Sequence, residues 1–410
     1  MDIIIIADFC GSFDENWKSY RFLYLADLLN KNNNVEIVTS DFDHAKKAFF
    51  SKPGNEYPFK VTFLHEIGYS KNICIRRFIS HFIWGLNVKR YLKKRKSPDV
   101  VYAAVPTLSA PYFSGKICKR KNIRFIIDIQ DLWPEAYQMV FNIPVISPLL
   151  FFPFSYIANR VYAYADSVCG VSKSYINRAL YVNKNNVSGH CVYLGTDLSG
   201  FDSGYTKKPF LIKKDDDLWL GYCGSLSDSY DIPLAIDALA ILKNRGVILP
   251  KFVIMGDGYK KEEFAYYARL REVDTLFTGN LPYSDMCSVL SLCDIVVNPI
   301  KKGSAASIIN KHGDYAAAGI PVLNTQDSKE YRELVDEYQM GLNCSNEAPD
   351  DMADKLFFLI SNADIRAQMG KNARKCAEEK FDRRRTYDEL MNAVMREESH
   401  DAQTESYEIV

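Results

Sequence analysis

Residues 218–239 read LWLGYCGSLSDSYDIPLAIDAL. The run up to Cys223 is short and apolar, and Gly224 closes it. That pattern reads as a buried strand rather than a helix. Gly224–Ser229 is a loop of small polar residues, Asp231 suits a helix N-cap, and Pro233 suits the first turn. The spacing predicts a helix from about 233 to 245. A hydrophobic strand, a short loop and a returning helix form half of a βαβ unit, so the stretch implies a parallel sheet with helices on its faces.

The alternation continues in both directions. Downstream, KFVIMGDG (251–258) precedes a helix near 259–272, and DTLFTG (274–279), DIVVNP (294–299) and IPVLNT (320–325) follow. Residues 348–397 are helical and charged. Upstream lies a second series: IIIIAD (3–8), a helix near 18–32, VEIVTS (35–40), VTFLHE (61–66), a helix at 75–96, DVVYAAV (99–105), FIIDIQD (125–131), SVCGVS (167–172) and CVYLG (191–195). Between the two series, residues 196–216, TDLSGFDSGYTKKPFLIKKDD, show no periodic element and read as a linker. The expected fold class is therefore α/β, with two Rossmann-like doubly wound domains, 1–200 and 201–382. A C-terminal helix at 383–397 is expected to return to the first domain, and 398–410 to be disordered.

Composition narrows the function. A chain of 410 residues suits two domains, and a net charge of zero disfavours a globally basic nucleic-acid binder. The ten cysteines are scattered with no C-x-x-C pair, which predicts neither a disulfide framework nor a zinc site and points to a reducing cytoplasm. The opening MDIIIIADF reads as a first strand, not a signal peptide. From Ala136 to Asn159 there is no charged residue, but Pro144, Pro148 and Pro153 would interrupt a spanning helix. This leaves a segment lying on a membrane surface or packed in the core.

In open α/β sheets, ligands sit outside the carboxyl ends of the strands, so the residues after each strand matter most. Gly224, Ser225 and Ser227 offer small residues and backbone N–H groups near a helix start, which favours an anion such as a phosphate. An ordinary polar βα loop would read the same. Gly256–Asp257–Gly258 and Gly279–Tyr283, with Leu281, occupy equivalent places; the first also reads as simple turn chemistry, and the second could contact a base. The segment SAASIINKHGDYAAAGIPVL (304–323) puts Ser307, Lys311 and Asp314 at i, i+4 and i+7 of a helix beginning near Gly303–Ala306. A helix start and an ammonium suit a diphosphate, and a carboxylate one turn later suits ribose hydroxyls. A salt-linked surface helix is the other reading. Finally, KNICIRRFISHFIWGLNVKRYLKKRK (71–96) holds nine Lys or Arg and no acid, interleaved with apolar residues. Arg76, Arg77, Trp84, Lys89 and Arg90 would place a basic amphipathic helix on an anionic membrane, unless the helix packs in the core with a solvated basic side.

LGYCGSLSDSYDIPLAIDAL, FVIMGDGYKKEEF, LFTGNLPYSDM, LSLCDIVVNP, DYAAAGIPVLNT and MGKNARKCAEEKFD succeed one another across 217–382. In that order and spacing they resemble the retaining, nucleotide-sugar-dependent glycosyltransferases of the GT-B fold, family four, also called group 1. ADFCGSFDENWKSYRFLYLADLL and IIDIQDLWPEAY extend the likeness to the first half. Within the family the chain looks like the bacterial transferases of capsule, O-antigen or exopolysaccharide clusters.

The resemblance implies transfer of a hexosyl or N-acetylhexosaminyl group from a nucleoside diphosphate, UDP by family habit. Anomeric configuration would be retained, with no metal and no cofactor. The implied acceptor is an undecaprenyl-diphosphate-linked saccharide, met by a peripheral protein on the cytoplasmic face of the bacterial inner membrane. The family's motif sets two glutamates eight positions apart. Asp314 takes the second, ribose-holding place, and the first falls at Ala306, leaving backbone near the sugar. The implied donor contacts run through Gly11, Ser12, Gly224, Ser225, Ser227, Gly256, Asp257, Leu281, Ala305, Ala306, Ser307, Asn310, Lys311 and Asp314. Lys311 is assigned to neutralise the diphosphate with the N–H groups of Gly224–Ser227, and Asp131 is the second catalytic candidate. Gln130 stands where many relatives carry His. A nucleotide-sugar epimerase of the same fold and a non-catalytic sugar-nucleotide-binding assembly protein are the rival functions. No G-x-G-x-x-G follows a strand, so a dinucleotide dehydrogenase lacks support.

Overall fold

The computed structural model describes residues 1–11, 13, 17–50, 57–72, 74–140, 146–185, 187–304 and 308–395. The expected disordered tail, 398–410, and the candidates Ser12, Ala305, Ala306 and Ser307 lie outside these residues. Two compact units divide the chain: Met1–Val192 together with the segment from Tyr387, and Tyr193–Thr386.

The first unit is built on a parallel sheet of seven strands. They are β1 (Asp2–Ile6), β2 (Asn34–Ser40), β5 (Lys60–Leu64), β6 (Val100–Val105), β7 (Arg124–Ile129), β8 (Ser167–Gly170) and β9 (Ser188–Cys191), in the order β5-β2-β1-β6-β7-β8-β9. A small antiparallel hairpin, β3 (Phe42–Asp43) and β4 (Ala48–Phe49), follows β2. The helices are α1 (Arg21–Asn30), α2 (Ile75–Lys94), α3 (Ser109–Lys121), α4 (Glu135–Val140), α5 (Ile146–Tyr164) and α6 (Lys173–Val182). Chain order steps outward from β1 to β2 and β5, then reverses to β6, which puts the switch point between β1 and β6. Side chains alternate across β1: Ile4 and Ile6 join one apolar layer with Trp84 and Val88, while Ile3 and Ile5 join the other with Leu23. Both faces are buried, which is why the strand reads as unbroken isoleucine.

The second unit repeats the plan with six parallel strands. These are β10 (Trp219–Cys223), β11 (Lys251–Met255), β12 (Thr275–Gly279), β13 (Ile295–Asn298), β14 (Val322–Asn324) and β15 (Gly341–Asn343), ordered β12-β11-β10-β13-β14-β15. Its helices are α7 (Leu198–Tyr205), α8 (Ile232–Asn244), α9 (Lys261–Leu270), α10 (Tyr283–Leu290), α11 (Asn310–Ala317), α12 (Lys329–Tyr338), α13 (Pro349–Ser361) and α14 (Ala363–Cys376). The final helix, α15 (Arg383–Met395), begins in this unit. From Tyr387 it belongs to the first unit, where Tyr387, Leu390 and Val394 join the layer of Ile3 and Ile5. Arg124 holds it there by donating to the carbonyls of Ala393 and Val394.

Three expectations are corrected. The presumed linker 196–216 contains α7, whose Leu198, Phe201 and Gly204 are buried. Gly204 lets α7 approach α10, since a Cβ there would sit 3.0 Å from the Cα of Ser284. One short helix with this small apolar stripe carries too little periodicity to stand out in sequence. The last strand of the first sheet is Ser188–Cys191 rather than 191–195, because the polar SGHC pairs with β8. The helix expected near Gly303–Ala306 begins only at Asn310, with Ile309 as N-cap and His312 Nδ1 accepting from its N–H at 3.2 Å. No described helix is long and apolar enough to cross a membrane; the uncharged stretch supplies α5, with Pro153 inside it. All ten cysteines are free thiols.

A buried ion pair ties α1 to the first sheet. Arg21 Nε and Nη2 donate to the two oxygens of Asp128 at 2.8 and 3.1 Å, and the hydroxyl of Tyr102 donates to Oδ2 at 2.7 Å. Arg21 Nη1 reaches the carbonyl of Val192 at 2.9 Å. Asp128→Ala leaves a guanidinium buried without its counter-ion and is expected to cost about 3–5 kcal/mol. Urea unfolding checks this, and the double replacement Arg21→Met with Asp128→Leu should be milder than either single change.

Candidate functional site

In the second unit the candidate residues gather at the carboxyl ends of β10, β11 and β13. Two loops meet there backbone to backbone. The N–H of Gly224 donates to the carbonyl of Met255 at 3.0 Å, that of Leu226 to the carbonyl of Asp257 at 2.9 Å, and that of Lys260 to the carbonyl of Leu226 at 3.2 Å. A Cβ on Gly256 would sit 1.8 Å from the carbonyl oxygen of Gly224, and one on Gly258 would sit 2.1 Å from that of Leu226. The GDG sequence is thus a close-approach device, and only glycine fits. Two of the four N–H groups expected to face a phosphate, those of Gly224 and Leu226, are therefore already engaged. Ser225 stays exposed and Ser227 half-buried. Asp257 is drawn below the usual carboxylate range by the N–H of Gly258 at 2.8 Å and by Lys261 at 3.1 Å.

Beneath this loop lies Lys311. Its residue is 7% exposed, and its Nζ has no hydrogen-bond partner among the described residues. The nitrogen lies 4.2 Å from the ring centre of Tyr222 and 4.0 Å from that of Tyr230. It is also 2.7 Å from where a Cβ of Gly224 would be. Two aromatic faces attract the ammonium but do not replace its water. Burial pushes Lys311 down to about 7.

Asp314 lies one turn further along α11. Its Oδ1 accepts from Thr196 Oγ1 at 3.0 Å and from the Tyr283 hydroxyl at 2.8 Å. Burial raises its pKa against those two bonds and the nearby Arg383. Gly313 makes room for Thr196, which would lie 2.6 Å from a Cβ there. The helix is pinned by Tyr315, whose hydroxyl accepts from the N–H of Cys223 at 2.9 Å and donates to the carbonyl of Val297 at 3.3 Å. His312 is fully buried and stacks on Tyr331 at 3.4 Å, so it is a packing residue. Asn310 is exposed at the helix start, and Leu281 is half-buried ahead of α10. Lys311 and Asp314 are thus i, i+3 on a helix whose first residue is Asn310.

In the first unit, Gly11 has a positive φ of 105° and lies under the ring of Tyr20. Asp131 spends its oxygens locally: Oδ1 accepts from the N–H of Leu132 at 2.9 Å and Oδ2 from Trp133 Nε1 at 3.2 Å. Desolvation raises its pKa. Arg77 and Trp84 do not face outward as expected. Both are buried, because α2 turns them toward the sheet. The Arg77 guanidinium lies 4.7 Å from the Trp133 ring, 5.5 Å from Tyr69 and 5.6 Å from Phe9. Arg76 and Arg90 remain exposed, and Lys89 lies over the Phe113 ring at 4.9 Å.

Two groups escape sequence reasoning. Thr196, Tyr222, Tyr230 and Tyr283 frame Lys311 and Asp314, but they lie in loops, in a strand and at a helix start, and no sequence signal ties them to those two residues. Asp8, Glu66 and His81 form a buried cluster in the first unit, from positions too far apart to signal one another. Burial raises the carboxyls of both acids, Glu66 to about 7.

The lone ammonium has a measurable cost. Lys311→Met keeps the aliphatic stem and removes the orphaned group, so it should stabilise the second unit by about 1–3 kcal/mol at or below neutral pH. The sign with pH is fixed by the lowered pKa. Between about 7 and the unfolded value near ~10.4 the unfolded chain binds more protons, so wild-type stability rises with pH there. The gap to Lys311→Met should narrow over that window in chemical denaturation series.

The comparisons agree with this architecture. Residues 206–376 match the family model described as glycosyl transferases group 1. No curated protein matches the chain by sequence. Among solved structures, the sucrose-phosphate synthase of Thermosynechococcus elongatus superposes with a TM-score of 0.71 at 14% identity, covering 96% of this chain and 98% of its own. HepE of Anabaena, in complex with UDP, gives 0.67 at 14% identity, covering 97% and 100%. WaaG, a glycosyltransferase involved in lipopolysaccharide biosynthesis, gives 0.63 at 13% identity, covering 97% and 100%. At these identities the likeness is one of fold. Group 1 glycosyl transferases are thus the family that residues 206–376 resemble, in a chain whose two Rossmann-like halves have the GT-B fold.

Proposed function

We propose that this protein is a retaining transferase that moves a hexosyl or N-acetylhexosaminyl group from a nucleoside-diphosphate sugar, UDP-linked, to a lipid-linked saccharide of a surface polysaccharide. The observation that carries the donor half of this reading is the pairing of Lys311, under the Gly224 loop, with Asp314 one turn on. A cation beneath a loop of small residues suits a diphosphate, and Asp314 Oδ2, which neither Thr196 nor Tyr283 uses, suits ribose hydroxyls. HepE is a fold neighbour in complex with UDP.

In the proposed reaction the bond from the anomeric carbon to the diphosphate breaks as the bond to the acceptor oxygen forms. The departing phosphate takes the acceptor's proton. Such a step asks for stabilisation of charge on the leaving group more than for a strong base. Lys311 supplies that charge. Asp131, whose oxygens hold Leu132 and Trp133, positions its own turn and moves no proton. No metal or cofactor takes part in the transfer.

The acceptor half rests on the first unit's surface. Ile75, Ile79 and Phe82 project from α2 at 79%, 48% and 51% exposure, and Leu149, Leu150 and Phe152 from α5 at 77%, 62% and 66%. Phe78 joins the two helices by packing on Phe154 at 5.3 Å. With Arg76 and Arg90 nearby on α2, this face suits an anionic bilayer on the cytoplasmic side of an inner membrane. WaaG, another fold neighbour, is involved in lipopolysaccharide biosynthesis.

Calorimetric titration with UDP, GDP and ADP tests the donor site. UDP should bind, and Lys311→Met should weaken it about tenfold or more, equivalent to ~1.4 kcal/mol. An anion beside Lys311 favours its charged form, so wild-type affinity should fall as pH rises from about 7 to 9, and that slope should vanish in Lys311→Met. Failure of all three nucleotides to bind would sink the reading. Ile75→Asp with Ile79→Asp should abolish flotation with phosphatidylglycerol vesicles while leaving UDP affinity unchanged.

A further inference from the structure

Three polar atoms of the first unit are left without hydrogen bonds in one place. Asp8 Oδ2, Glu66 Oε2 and Arg77 Nε are buried and have no partner among the described residues. Asp8 follows β1, Glu66 follows β5, and His81 faces them from α2. Their three residues are 6%, 1% and 4% exposed. One ligand atom from each of Asp8, Glu66 and His81 lies within 4.8 Å of the other two.

The charges around the cluster do not close it. Arg77 is the nearest cation, but its Nη1 donates to the carbonyl of Asn72 at 2.7 Å and its plane is enclosed by the rings of Trp133, Tyr69 and Phe9. No ion pair joins it to either carboxylate among the described residues. Lys47, on the hairpin edge, gives its ammonium to Asn72 Oδ1 at 2.6 Å and lies 3.2 Å from His44 Nδ1. Two carboxylates therefore face inward with an oxygen each unused, and His81 Nε2 stands 3.8 Å from Asp8 Oδ2. A buried acceptor without a donor is costly, and two together are more so.

The surroundings are those of a ligand set. Phe9 meets the His81 ring edge-on at 5.5 Å, Tyr69 does so at 5.5 Å, and Trp133 stacks on it at 5.7 Å. These rings, with the Arg77 guanidinium among them, fix the imidazole. Two carboxylate oxygens and one imidazole nitrogen form a mixed set that suits a divalent transition metal. We propose that Asp8, Glu66 and His81 bind a divalent cation of the zinc or manganese class, which ties the ends of β1 and β5 to α2. The ion satisfies both orphaned oxygens at once. A single proton on the pair is the rival occupant, and it would leave His81 Nε2 with only the Tyr69 hydroxyl at 3.4 Å as a partner among the described residues. None of Asp8, Glu66 and His81 is among the residues proposed to hold the donor. The sequence expectation of no zinc site rested on cysteine spacing, which could not register ligands at positions 8, 66 and 81, and the expectation of no metal in the transfer came from the family resemblance.

The test uses the full chain freed of metal with EDTA and dialysed. Zn²⁺ and Mn²⁺ are then titrated, with thermal unfolding and the electron paramagnetic resonance of bound Mn²⁺ as readouts. One ion per chain and a rise in Tm of about 3 °C or more are expected. Asp8→Asn and Glu66→Gln keep the side-chain shapes and remove one charge each; both should fold and lose the metal-dependent rise. If one of them fails to fold, His81→Phe carries the same test, since it preserves the ring packing. Absence of stoichiometric binding by either ion, or binding by the variants equal to wild type, overturns the proposal in favour of the protonated pair.

Discussion

The Tyr315 hydroxyl governs the architecture of the second unit's site. Strands β10 and β13 pair at Leu220–Ile295 and Gly221–Val296, and past that point the neighbouring strands part. Tyr315 fills the opening, accepting from Cys223 and donating to Val297, so the groups that would be left unpaired at the switch point are satisfied by one phenol. The cost of leaving them bare fixes α11 in rotation and depth. With Tyr315 locked, Lys311 must run beneath Gly224 and Asp314 must face Thr196 and Tyr283. The small residues follow from the same constraint. Gly370 would place a Cβ 2.3 Å from the carbonyl of Gly319, so α14 closes on the end of α11 only because both positions lack side chains.

That placement works against stability. A buried ammonium with no acceptor, held by two tyrosine faces, is worse than a methionine in the same space. Such a residue makes sense where its charge is needed, and the loop above it is the place where an incoming anion would supply the missing partner. The backbone seam between Gly224–Leu226 and Gly256–Gly258 serves the same end. It uses up two N–H groups but makes the loop rigid, so the position of the cation is set before any ligand arrives.

Much of this was legible in the sequence. Buried strands such as IIIIAD, DVVYAAV and DIVVNP announce a parallel sheet because both of their faces are covered, and Asp231–Pro233 announces the start of α8. The expected helix at 75–96 matches α2. What sequence could not give was orientation. Arg77 and Arg76 are neighbours in a basic run, yet one is caged among rings and the other is exposed, and only the sheet beneath α2 decides between them. The start of α11 was also hidden. Its N-cap is an isoleucine, and the bond that closes the first turn comes from His312, neither of which is a usual cap signal. The short α7 lacked periodicity, and Thr196, which bonds Asp314, lay in the stretch read as a linker.

The two units solve one problem in opposite ways. Each sheet leaves its strand ends facing a region where polar groups must be buried, and the orphaned atoms of Asp, Glu, Lys and Arg side chains concentrate there: Asp8, Glu66 and Arg77 in the first unit, Lys311 in the second, with Glu135 the exception, since its other oxygen pairs with Arg178. In the second unit the unmet charge is positive and stands alone, so the missing partner is an anion. In the first unit two acids each keep a buried oxygen without a donor, and the partner proposed for them is a cation. Neither unit could retain such groups at random, because each unsatisfied ion weighs on a net stability of only about 5–15 kcal/mol. On the two proposals, the equivalent ends of these sheets take ligands of opposite charge, rather than repeating one chemistry in two similar sheets.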